Sequence, residues 1–105
     1  MKPAILRPQA RQDRRDEVRT YRGEGGARVA QRLVDNLQDD LQNLERQPLM
    51  GSPVLGKVLG IAGLRTWGVT GFPLVLVYIE GPLHLDIVRL LGQRQDITTL
   101  LGGEI

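Results

Sequence analysis

Val29, Leu33, Leu37, Leu41 and Leu44 recur at spacings of four, four, four and three residues. An apolar stripe at that interval fits one face of an α-helix, because 3.6 residues complete a turn. Ala30 and Val34 widen the stripe, so the helix packs on a sheet as well as on a neighbouring helix. Upstream, "QARQDRRDEVRTYR" holds good helix formers without Gly or Pro, and Pro8 before it suits a helix start. Its apolar positions, Ala10, Val18 and Tyr21, are sparse, with Arg14 at helical spacing between them, so its buried stripe is thin. The "GEGG" at residues 23 to 26 separates the two helices and predicts an αα-hairpin.

What flanks this hairpin is extended. "AILRP" ahead of it is a short strand closed by Pro8, and "RQPLMGSPVLGK" behind it, dense in Pro and Gly, is a connector. From residue 58 the runs "VLGIAGLRTWGV", "PLVLVYIE" and "LHLDIVRLL" are rich in branched and aromatic residues, and "TGF" and "GP" turns separate them. That pattern predicts a three-stranded antiparallel meander. The middle run is apolar at nearly every position, as in a central strand covered on both faces. "GQRQDITTLLGGEI" ends the sequence as a short helix capped by Asp96, or as a frayed tail. The order predicts an α+β fold: an N-terminal strand, a helical hairpin, then the meander, with the helices on one face of the sheet. The first strand is free to pair with any later one in either direction. The opposite sheet face is then the candidate site.

A chain of 105 residues is expected to form one domain, residues 1–105, burying roughly two thirds of its unfolded surface. With no cysteine and one histidine, neither a disulfide framework nor a metal or cofactor site built on thiolates or several imidazoles is expected. No run of about 18 apolar residues occurs, and "MKPAILRPQARQDRRDE" turns polar too early for a signal-peptide core, so the expectation is a cytoplasmic protein with no membrane partner. The net charge of +2 conceals an uneven distribution: residues 1–46 hold ten of the fourteen Lys and Arg and eight of the twelve acids. Mixed charge of that density reads first as a solvated helix surface. A nucleic-acid footprint would require the arginines to gather on one face.

"GLRTWGVTGFPLVLVYIEG", followed by "LDIVRLLGQRQDI", the helical hairpin and the "PLMG" connector, resembles the RelE/ParE superfamily of type II toxins, in its ParE-like branch. The matching pieces are Leu64-Arg65, Trp67, Gly71-Phe72-Pro73, Tyr78, Arg89 and Arg94-Gln95-Asp96-Ile97. Where the family usually carries Leu and Ile in the first helix, this chain offers Arg14 or Arg15 and Glu17 or Val18; the family's Leu-His-Gly after the last strand is here Leu91-Gly92. The resemblance implies a plasmid-stabilisation type toxin neutralised by a cognate antitoxin, in a toxin-antitoxin hetero-oligomer. Characterised ParE-like members poison DNA gyrase, whereas RelE-like members cut mRNA on the ribosome. A non-toxic interaction module with the same fold is a third implication, since fold does not select among them.

Metal-free RNA cleavage through the 2′-hydroxyl requires a base, an acid for the leaving oxygen, and cations on the phosphorane. The RelE-like solution implies several Lys and Arg with a late Tyr or His; this chain has only Lys2 and Lys57, and no Tyr or His after Leu91. Whether the protein is an enzyme is therefore open at this point. Arg65, Arg89 and Arg94 are the candidate target- or phosphate-binding residues, with Trp67, Tyr78 and His84 as possible support. Each has a plainer reading: Arg65 as an edge arginine, Trp67 and Tyr78 as core, His84 as a turn residue, Arg94 as a local partner of Asp96. Arg65 shares strand parity with Trp67 and Val69 and on the functional reading points away from the helices, whereas Arg89 shares parity with Ile87 and Leu91, which suggests a functional or paired role.

Overall fold

In the computed structural model of the chain, which describes residues 1–101, the Pro8 that closes the first strand also opens the first helix. The elements are β1 (Ala4–Leu6), α1 (Pro8–Arg46), a 3-10 turn (Pro48–Met50), α2 (Val54–Leu59), β2 (Leu64–Gly68), β3 (Leu74–Glu80), β4 (Leu85–Gly92) and α3 (Ile97–Leu101). The helical run α1 breaks at Gly26, where φ is 87° and ψ is 177°. A residue with a Cβ rarely adopts that conformation, so glycine is needed there for its backbone freedom, and the space around it is open. The break yields the predicted hairpin, with a first arm of residues 8–25 and a second of 27–46 whose apolar stripes both enter one core.

The sheet order is β1-β4-β3-β2, with β1 parallel to β4 and the remaining pairs antiparallel. The meander is as predicted, and the partner of β1, left open by the sequence, is the last strand. Ala10, Leu33, Leu37 and Leu44 from the arms meet Leu74, Leu76, Tyr78, Ile87 and Leu90 on one sheet face. Tyr21 adds an edge-on contact to Phe72, with ring centroids 5.0 Å apart. Leu64, Val77, Val88 and Leu91 on the other face join Leu101, with Leu55, Leu59 and Ile97 packed around them. Among the described residues no helix is long and apolar enough to cross a membrane.

Three expectations change. Residues 58–62 are not strand: Val54–Leu59 is helical, and Gly60 ends that helix in the left-handed region (φ 70°, ψ 28°), so β2 starts at Leu64. The face opposite the hairpin is closed, because α2 and α3 cover it and leave Val77 and Val88 without exposure. The β3–β4 ladder also shifts register at Val77/Tyr78. An extra residue there re-aims the side chains that follow, so Ile87 and Leu90 share the hairpin face whereas Leu91 lies on the other. Simple alternation through Arg89 therefore fails. Asp96 does cap α3, accepting from the Thr99 amide at 3.2 Å and its hydroxyl at 2.7 Å; the end of the predicted tail, residues 102–105, lies outside the described residues.

Candidate functional site

Two buried aspartates tie the arms to the sheet. Asp13, on the first arm, accepts from Arg89 Nε at 2.7 Å and Nη2 at 3.1 Å, and from the Leu90 amide at 3.1 Å. Because β1 pairs with β4 only as far as Ile87, the Asp13 carboxylate provides an acceptor on the stretch of β4 that follows. Asp40, on the second arm, accepts from the Thr70 amide and hydroxyl, each at 2.8 Å, while Asn36 donates to the Thr70 carbonyl at 2.9 Å. Both carboxylates are more than nine-tenths buried, and such groups persist in a core only when their acceptor sites are filled.

Arg65 and Tyr78 face each other across the β2–β3 ladder, on the hairpin side rather than the face away from it. Both hold the connector. The Tyr78 hydroxyl donates to the Pro48 carbonyl at 2.6 Å and accepts from the Gly51 amide at 2.9 Å; Arg65 Nη1 donates to the carbonyls of Gly51 at 2.8 Å and Leu49 at 3.3 Å. Gly51 is required by proximity, since a Cβ there would lie 2.4 Å from the Tyr78 oxygen. Burial pushes the Tyr78 phenol above its ordinary range, against smaller opposite effects of the Gly51 amide and Arg65. Tyr78→Phe is expected to cost about 1–3 kcal/mol, because a buried amide and carbonyl lose their partner. Urea unfolding checks this, and an unchanged midpoint would count against the clamp.

The remaining feature is a groove of about 620 Å³ along the hairpin, reaching β1. Its apolar lining is Ala4, Leu6, Val18, Val34, Leu37 and Leu41, and its rim carries Arg14, Arg15, Arg19 and Arg22. Glu45 is the single acid in the lining, and its carboxylate is already engaged by the Ala4 amide at 2.6 Å. Arg14 and Arg22 have no acceptor among the described residues, so their donors are available to a partner. None of the four arginines was singled out as a site residue from sequence. A signal was present for three of them: Arg14, Arg15 and Arg22 share a helical face with Val18, as does Arg11 outside the groove, and acids at 13, 16, 17 and 24 repeat that spacing two positions on, about 200° around the helix.

On that acidic face, burial and then Asp13, Asp16 and Glu24 raise the Glu17 carboxyl above 4.5. A raised carboxyl favours folding below its unfolded value, and that contribution is lost as pH rises through the folded one. Glu17→Gln should therefore gain a few tenths of a kcal/mol at neutral pH, after solvent screening, and nothing at roughly pH 3. Denaturant melts at the two pH values check the sign; an equal difference at both would assign the effect to packing.

The other sequence candidates do not assemble into one centre. Arg89 is held against Asp13, with 12% of its side chain exposed, and Arg65 is committed to the connector. Trp67 packs on the hairpin-side core, and its indole nitrogen is the one buried side-chain N or O without a hydrogen-bond partner among the described residues. His84 lies half-buried in the β3–β4 turn, where its carbonyl accepts from the Gly81 amide at 2.9 Å. Arg94 is exposed after β4.

The sequence profile of the family described as "ParE toxin of type II toxin-antitoxin system, parDE" matches residues 4–97. A solved structure described as the "Chromosomal ParDE TA system from P. aeruginosa" contains a similar chain, with a TM-score of 0.73 at 17% identity, covering 88% of this chain and 96% of that one. No curated protein sequence matches. At that identity the structural likeness concerns the fold, whereas the profile match spans β1 to the start of α3.

Proposed function

This chain belongs to the ParE toxin family of type II toxin-antitoxin systems, and from that premise we propose that it inhibits growth by binding DNA gyrase in the cytoplasm and is silenced by a cognate antitoxin. The observation that carries the reading is the groove, whose apolar floor and four-arginine rim suit an amphipathic segment bearing acids along one edge. Helix-in-groove docking of this kind places apolar anchors in the floor and charges on the rim, and yields a toxin-antitoxin hetero-oligomer. The similar chain from P. aeruginosa comes from a ParDE system, which supports an antitoxin as the occupant.

A binding action is favoured over RNA cleavage by the way the candidate groups are engaged. Arg65 and Arg89 direct donors at protein acceptors, and the phenol of Tyr78 is raised by burial away from the neutral range a general base needs. Arg94, exposed beyond β4, remains as a target-facing cation.

The test is induced expression of the toxin alone and with its antitoxin, followed by assays of supercoiling by purified gyrase and of mRNA integrity. Arrest by the toxin alone, relief by the antitoxin, blocked supercoiling and intact mRNA are the expected results. Cleaved mRNA with normal supercoiling would transfer the protein to the RelE-type endoribonuclease reading. Absence of arrest would leave an interaction module.

A further inference from the structure

Between Glu45 and Glu80 the sequence contains no acid, yet it contains Arg46, Lys57 and Arg65. This acid-free stretch includes the connector, the most heavily anchored of the irregular segments. Tyr78 and Arg65 hold its turn through the carbonyls of Pro48, Leu49 and Gly51, and Ser52 pairs with Thr66 through backbone bonds of 2.8 and 3.0 Å. What this scaffold holds out is apolar: Leu49 is 69% exposed, Val54 63% and Val58 72%. Val54 and Val58 are one turn apart on α2, with exposed Lys57 beside them, while Leu55 and Leu59 pack inward.

Solvation does not require three large apolar side chains to stand in water on a fixed support; polar residues would serve it better. A rigid support does, however, lower the entropy lost when a partner docks. We propose that Val54 and Val58, with Lys57 beside them on α2, form the surface by which the toxin grips its protein target, through an apolar segment of that target bearing acidic residues. Residues 46–79 contain no acid, so Lys57 has no carboxylate close to it in sequence and an acidic partner is favoured there. The apolar content favours a protein over a nucleic acid, whose backbone would be met chiefly by cations. The patch borders the β2 edge of the sheet, whereas the groove reaches β1 at the other edge, so the two surfaces do not share residues. The inference rests on the toxin reading above and adds where the target is held.

The experiment compares the wild-type chain with Val54→Ser/Val58→Ser and, separately, Lys57→Glu. Antitoxin affinity is measured by calorimetry, growth arrest in cells, and capture of purified gyrase in vitro. Antitoxin affinity within about twofold of wild type, with gyrase capture and growth arrest reduced by roughly tenfold or more, is the expected result. Unchanged arrest would overturn the proposal, as would loss of antitoxin affinity with retained arrest, which would assign the patch to the antitoxin. Loss of salt-dependent DNA binding in Lys57→Glu, with gyrase protein still captured, would overturn it in favour of a nucleic-acid contact. Abolished arrest in the valine variant, when wild type itself leaves gyrase unaffected, would keep the target surface and retire only gyrase.

Discussion

Asp13→Ala is expected to lower the unfolding free energy by about 3–5 kcal/mol, the usual cost of leaving one member of a buried ion pair without its partner. The loss is large because the carboxylate serves two residues: without it the Arg89 guanidinium loses a buried counter-charge and the Leu90 amide loses its acceptor. Exchanging the pair for apolar residues, Asp13→Leu with Arg89→Met, should recover much of the loss but not all, since the Leu90 amide remains unanswered at about 1–3 kcal/mol. Denaturant melts of the two single variants and the double give the coupling. If the Asp13 variant unfolds at the wild-type midpoint, the pair is ornamental. If the double variant folds but no longer arrests growth, Arg89 has a role beyond holding the hairpin.

Reversing charge on the groove rim, Arg15→Glu with Arg19→Glu, is expected to weaken antitoxin binding by about two orders of magnitude, or about 2–4 kcal/mol. Both side chains are exposed, so the fold should be unaffected; among the described residues Arg19 has only a long ion pair to Asp16, at 3.9 Å with 79% of its side chain exposed. Wild-type affinity should fall as salt rises, and the variant's should respond less, because rim charges act chiefly through long-range attraction. Calorimetry at two salt concentrations measures both effects. Affinity within threefold of wild type would move the antitoxin elsewhere.

The parts of the fold that sequence revealed are those in which a local pattern and the tertiary demand coincide. Leu33, Leu37 and Leu44 mark a helix face and are buried in it; Gly26 marks the hairpin turn and adopts a conformation suited to glycine. The parts it hid are non-local. The register shift at Val77/Tyr78 depends on how two strands meet, so no single-strand pattern announces that Leu90 and Ile87 will share a face. The helix at Val54–Leu59 is a single turn and a half in a Pro- and Gly-rich segment, where apolar runs favour neither state. Arg65 was legible as a residue and illegible as a clamp, since its acceptors are backbone carbonyls of a loop whose course sequence leaves free. The groove was the converse case. Its arginines are periodic in the sequence, but only the second arm lying alongside turns that periodicity into a rim.

The parallel pairing of β1 with β4 has a consequence for how the protein is made. Ala4 is synthesised before the hairpin, and its partner Leu85 only after the hairpin and two further strands. Closing so long a loop is entropically costly and slow compared with forming the hairpin. Until β4 has emerged, the first strand has no neighbour, Asp13 has no Arg89, and β3 lacks one side of its sheet. A nascent chain can thus display the hairpin, with its arginine-rimmed flank, while the sheet that completes the toxin is still inside the exit tunnel. Order of synthesis exposes that flank to any partner it fits before the sheet is complete.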